Sequence, residues 1–142
     1  MMNEFSEQLL KTAYLIKINK NNIIFLWSST PYAPLRSSID LKIKINPNEL
    51  FFLANDFNCQ IKDNKIFIPN LELYNRLLIY ACVRPSLKKT ESIHKLSECI
   101  YNMTSWDAHY WASAFRELWW KYRKRRNLLK TIKGFKLFFG IE

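Results

Sequence analysis

Glycine is nearly missing from this chain: its 142 residues include only Gly134 and Gly140. Phosphate-binding loops need several glycines so that backbone amides can close on the ligand, and Walker-type and dinucleotide-binding fingerprints are therefore excluded. Cysteine is sparse as well. Cys59, Cys82 and Cys99 are odd in number, widely spaced and never C-x-x-C, which argues against a disulfide framework and a zinc ribbon and leaves them as small core residues. Long apolar runs are lacking, and those present, such as residues 23–27, are far too short to cross a bilayer. No charged-then-apolar leader opens the chain, so a cytoplasmic location is expected. Repeats, low-complexity runs and linkers are missing too, and the length suits one core, so a single domain over residues 1–142 is expected.

Carboxylates are also scarce: 12 Asp and Glu face 22 Lys and Arg, for a net charge of +10. Residues 1–83 hold 9 cations against 7 anions and residues 84–142 hold 13 against 5, so the second part carries +8 of the charge. That asymmetry makes a polyanion the natural partner, nucleic acid ahead of an anionic membrane surface. The acids do not cluster. Asp40, Asp56 and Asp63 fall in separate elements, without the paired carboxylates that magnesium-dependent phosphoryl transfer needs. His94 and His109 lie on polar helix faces with no nucleophile fixed beside them, and Cys82, His94, Cys99 and His109 match no zinc spacing. A non-catalytic protein without metal or cofactor is expected.

What the chain does have is concentrated in residues 104–126, TSWDAHYWASAFRELWWKYRKRR. Thr104 and Asp107 form a capping-box-like start, and one long amphipathic helix is expected from there to Arg126. Ala108, Trp111, Phe115, Leu118 and Tyr122 share a core-facing stripe, with Ala112 and Trp119 at its margin. The opposite face collects Trp106, His109, Tyr110, Arg116, Trp120, Lys121 and Lys124, and the helix closes on Arg123, Lys124, Arg125 and Arg126. Cations late in a helix stabilise its negative end by a few tenths of a kcal/mol, but that effect does not call for five in six residues. Bases stacked on rings and phosphates paired with Lys and Arg would cover such a face. Packing of Trp106, Tyr110 and Trp120 within the chain or against a partner subunit is the alternative.

The rest predicts an α+β fold, mainly α: a helical bundle with a short strand and a β-hairpin in the N-terminal half. Phe5, Leu9, Ala13 and Ile16 share a face of a first helix, with which a strand over residues 14–18 competes; residues 23–27 read as a short buried strand. Alternating Ile39, Leu41, Ile43 and Ile45 mark a strand over residues 39–45. Asn46-Pro47-Asn48-Glu49 opens a helix that buries Leu50, Phe51, Ala54 and Phe57. A hairpin turns through Lys62-Asp63-Asn64-Lys65. Residues 1–68 thus form a mixed half and residues 69–142 a basic helical half. The latter holds a helix over about 71–83 stopped by Arg84-Pro85, a loop with Lys88 and Lys89, and a helix with Ile93, Leu96, Ile100 and Met103 inward and His94, Lys95 and Glu98 outward. After a break at Asn127, a final helix sets Leu128, Ile132, Phe135 and Phe139 opposite Lys130, Lys133 and Lys136, with core packing expected ahead of a membrane surface.

From Ile68 onward the order NLELYNRLLIYACV, RPSLKKTES, IHKLSECIYNM, TSWDAHYWASAF resembles the C-terminal helical domain of archaeal and eukaryotic primase large subunits. It is similar in size to the small non-catalytic archaeal primase subunit PriX, which looks like that domain without its iron–sulfur cluster; three scattered cysteines fit the clusterless version. The resemblance covers about the last half of the chain. It implies a subunit that helps bind single-stranded template and the initiating nucleoside triphosphate beside primase catalytic and large subunits. Arg84, Lys88, Lys89, His94, Lys95 and Arg116 would then meet the triphosphate. The rival expectation is an RNA-binding or assembly subunit of another ribonucleoprotein, such as a CRISPR effector small subunit or a ribosome-associated protein.

Overall fold

The computed structural model describes residues 14–19, 22–27, 36–41, 45–87, 93–118 and 125–141, with the side chains of residues 36–41, 93, 125 and 126 excepted. It is an α+β fold, mainly helical, in two compact units, Met1–Tyr74 and Asn75–Glu142. The division falls inside a helix, six residues beyond the end of the hairpin at Ile68.

In the first unit, strands β1 (Tyr14–Asn19), β2 (Asn22–Trp27), β3 (Arg36–Leu41), β4 (Gln60–Lys62) and β5 (Lys65–Ile68) form an antiparallel sheet in the order β3-β2-β1-β5-β4. To the strands over residues 23–27 and 39–45 and the hairpin that local pattern predicts, the sheet adds β1 at its centre. Ile16, expected on a first helix, is a fully buried strand residue paired with Phe25 and Ile66. Pairing on both flanks outweighs a helical period carried by four apolar residues, and the competing strand prevails; residues 1–13, with the rest of the expected helix, lie outside the described residues. Of the strand expected over residues 39–45, residues 39–41 belong to β3, which begins earlier, at Arg36, and residues 42–44 lie outside the described residues. Leu41 faces Ile23, and at the other end Leu26 and Trp27 recruit Ser37 and Arg36 past a register shift.

Helix α1 (Pro47–Asp56) begins as its sequence requires: Asn46 Oδ1 accepts from the Asn48 amide at 3.0 Å and proline takes the first turn. It ends in a left-handed turn built without glycine. Asn58, at φ 60°, donates to Asn55 O while Cys59 donates to Ala54 O, so the last carbonyls are satisfied. Phe57 leaves the helix there and is exposed, contrary to expectation, whereas Leu53 is buried. The hairpin turn is as expected, with Asp63 at φ 55°.

Helix α2 (Leu71–Val83) is capped by Asn70, whose Oδ1 accepts from Leu73 N at 2.8 Å. Its first turn carries Tyr74, which belongs to the first unit and packs its ring against Tyr14 and Phe25 at centroid distances of 5.3 and 5.6 Å. Every residue from Leu73 to Arg84 is buried, so this is the most enclosed helix of the described residues.

The second unit adds α3 (Ile93–Asn102), α4 (Ser105–Glu117) and α5 (Arg125–Phe138) to the remainder of α2. Of the single long helix expected over residues 104–126, α4 carries Ser105–Glu117, and residues 119–124 lie outside the described residues. Arg125 and Arg126 belong to the first turn of α5, and Asn127 is inside that helix instead of breaking it. Among the described residues, no helix is long and apolar enough to cross a membrane.

Candidate nucleic-acid interface

Helix α4 is fixed at both ends by consecutive residues of α2. Before it starts, the Arg76 guanidinium donates to the carbonyls of Ile100 and Met103, the latter at 2.9 Å. Those carbonyls are among the orphan acceptors at the negative end of α3, so a buried cation satisfies them and complements the dipole together. Thr104 then caps α4 by accepting from Asp107 N at 3.0 Å. Near its far end, Arg116 donates to Asn75 Oδ1 at 2.7 Å. Neither Asn75 nor Arg76 stands out in the sequence, because a polar residue in an apolar helix shows its purpose only when the helix it caps is beside it.

The face that α4 turns outward carries rings. Trp106 is 70 % exposed and Tyr110 51 %. One helical turn apart, they lie flat against each other with centroids 5.4 Å apart and planes 8° from parallel. Tyr110 meets Trp111 edge-on at 5.3 Å, and Trp111 meets the buried ring of Phe135 edge-on at the same distance. Phe115, Phe138 and Phe139 complete the cluster. A column of rings thus runs from the interior seam of α4 and α5 to the solvent and ends at Trp106. The expected core stripe holds for Ala108, Ala112 and Phe115, which are buried.

The remaining expected site residues are dispersed. His94 and Lys95 are exposed on α3. Arg84 is buried, 5 % exposed, and its guanidinium donates to Leu87 O at 3.4 Å. The apolar run before it and the 3₁₀ turn Arg84–Ser86 that ends α2 draw its stem inward. Arg116 is half-buried and engaged with Asn75. Lys88, Lys89, Trp120, Lys121, Arg123 and Lys124 lie outside the described residues.

Arg125 and Arg126 open α5, where the dipole is positive and disfavours them, and no acid accompanies them in that turn. Helix stability does not explain cations at that end. Lys130 and Lys133, further along α5, are exposed. Counted by unit, Met1–Tyr74 holds 8 Lys or Arg against 7 Asp or Glu and Asn75–Glu142 holds 14 against 5, so the helical unit carries +9 of the +10.

Comparison with family models, curated proteins and solved structures returns no match. The chemistry of the site rests on its residues alone. Burial pushes the Cys59 thiol up to about 11 and the Cys82 thiol up to about 12, the latter against an opposing pull from Arg116, and it raises Cys99. All three remain protonated at neutral pH and are poor nucleophiles. Among the described residues no three His, Cys, Asp or Glu side chains gather as metal ligands do.

Proposed function

We propose that this chain is a non-catalytic nucleic-acid- or nucleotide-binding subunit of a cytoplasmic replication complex of the primase type. In that role it helps hold single-stranded template and the initiating nucleoside triphosphate beside separate catalytic and large subunits. The observation that carries the binding half of this reading is the exposed, stacked Trp106–Tyr110 pair on the unit that holds +9 of the charge. Flat rings offer a base the one surface common to all bases, and the cations of the unit attract the backbone whatever its sequence. The primase assignment is supported by the order of helices and caps from Ile68 onward.

Exposed Phe52, at 69 % on the nearly neutral first unit, favours a protein partner in addition. Such a partner also suits the second reading, an RNA-binding or assembly subunit of a different ribonucleoprotein. Affinity purification of the chain from its native cell separates the two: primase catalytic and large subunits are expected to co-purify. Recovery of ribosomal or CRISPR effector proteins in their place overturns the replication assignment.

A further inference from the structure

We infer that the second unit divides its ligand between two helices: the outer face of Trp106 on α4 takes one unpaired base, and α5 tracks the phosphates. The inference rests on the nucleic-acid reading above and gives it a base subsite and a separate backbone track. Tyr110 lies parallel to Trp106 at a centroid distance of 5.4 Å, and Trp106, 70 % exposed, is the last ring of a column that is continuous to Phe135. A column backed by packed rings and clamped through Asn75 and Arg76 is already ordered, so a base added to it orders little else. Helix α4 supplies almost no charge, with Asp107 and Glu117 against Arg116. Helix α5 is the reverse. It carries Arg125, Arg126, Lys130, Lys133 and Lys136 and not one acid, and its Phe138 lies 6.2 Å from the Trp111 ring that supports the column. Charge complementarity therefore selects a polyanion with planar groups as occupant, and at +9 the unit opposes a second copy of itself. Paired bases in a duplex present no free face to Trp106, which restricts the subsite to unpaired ones.

The two contributions are separable by measurement. Labelled oligothymidylate, the matching duplex and anionic phospholipid vesicles are titrated with the full chain and with two variants, Trp106→Ala and Lys130→Gln/Lys133→Gln, across a salt series. Trp106→Ala is expected to lower single-strand affinity about 5- to 150-fold without changing the salt slope, with partial recovery in Trp106→Phe and no effect on duplex. Lys130→Gln/Lys133→Gln is expected to flatten the logarithmic slope by about 0.7 for each phosphate that is no longer neutralised. Unchanged single-strand affinity in Trp106→Ala, while the parent keeps a steep slope, overturns the base subsite and leaves polyanion binding standing. Parent chain that binds neither nucleic acid overturns both readings, and Trp106-dependent binding to vesicles alone assigns the face to lipid. Because Trp106 is largely exposed, its truncation leaves the fold intact, as the circular dichroism of each variant will show.

Discussion

The two glycines should respond to alanine with opposite signs, which tests the geometry of α5 where it supports the ring column. Gly134 sits in the middle of that helix, and a Cβ built on it would meet Trp111 Cη2 at 3.9 Å, an ordinary van der Waals contact. Gly134→Ala therefore adds contact without a clash and removes the conformational freedom that glycine gives the unfolded chain, for a gain of about 0.5–1 kcal/mol. Gly140 is at φ 67° and closes the helix: its amide donates to Leu137 O at 3.2 Å and Ile141 donates to Lys136 O at 2.7 Å. These are the two bonds of a left-handed C-terminal cap, and Ile141 is buried behind them. A Cβ there meets nothing within 4 Å, so the cost of Gly140→Ala is conformational alone, about 1–2 kcal/mol. Urea denaturation followed by circular dichroism reads both, and Gly140→Asn should recover part of the loss, since asparagine tolerates this conformation. A destabilised Gly134→Ala would show that α5 lies too close to Trp111 to admit a methyl group, and a neutral Gly140→Ala would show that the helix does not end in a left-handed turn.

Further outcomes follow from the same packing. Arg76→Met leaves the carbonyls of Ile100 and Met103 without their donor and should cost about 2–4 kcal/mol in denaturant midpoint, whereas an unchanged midpoint would remove Arg76 as the clamp of the α3–α4 corner. Phe115→Ala should cost about 3–5 kcal/mol as a core truncation, against roughly 0.5 kcal/mol or less for Trp106→Ala. Arg125→Gln/Arg126→Gln should raise stability by about 0.3–1 kcal/mol per charge at low ionic strength while weakening nucleic-acid binding; a loss of stability would mean that these arginines serve the helix. The Cys82 thiol ionises near 9.0 when unfolded and near 12 when folded. Its contribution is complete below pH 9 and declines as pH rises toward 12, so Cys82→Ala should flatten the alkaline limb of the stability profile, and an unaltered limb would contradict that burial.

Local chemistry made much of this fold legible. The caps Asn46 and Thr104, the proline at the start of α1, the Asp63 turn and the limits of α2 follow from residues within a turn of where they act. What stayed hidden depends on partners distant in sequence. The strand identity of Ile16 is decided by Phe25 and Ile66, and the start of β3 at Arg36 by where β2 offers pairing. At the site, helical spacing alone put Trp106 and Tyr110 on one face, and they are exposed there. The same spacing runs one helix from Thr104 to Arg126; its first part is α4, Arg125 and Arg126 belong to α5, and residues 119–124 lie outside the described residues. The burial of Arg84 was not legible from its charge, because the turn that draws its stem inward depends on how α2 ends.

The most direct test is the affinity of the intact chain for labelled oligothymidylate measured between about 50 and 200 mM salt. Phosphates held by three or more cations predict a logarithmic slope of about −2 or steeper, with single strand bound in preference to duplex. Absence of binding, or an affinity that does not move with salt, would contradict a nucleic-acid surface on the second unit.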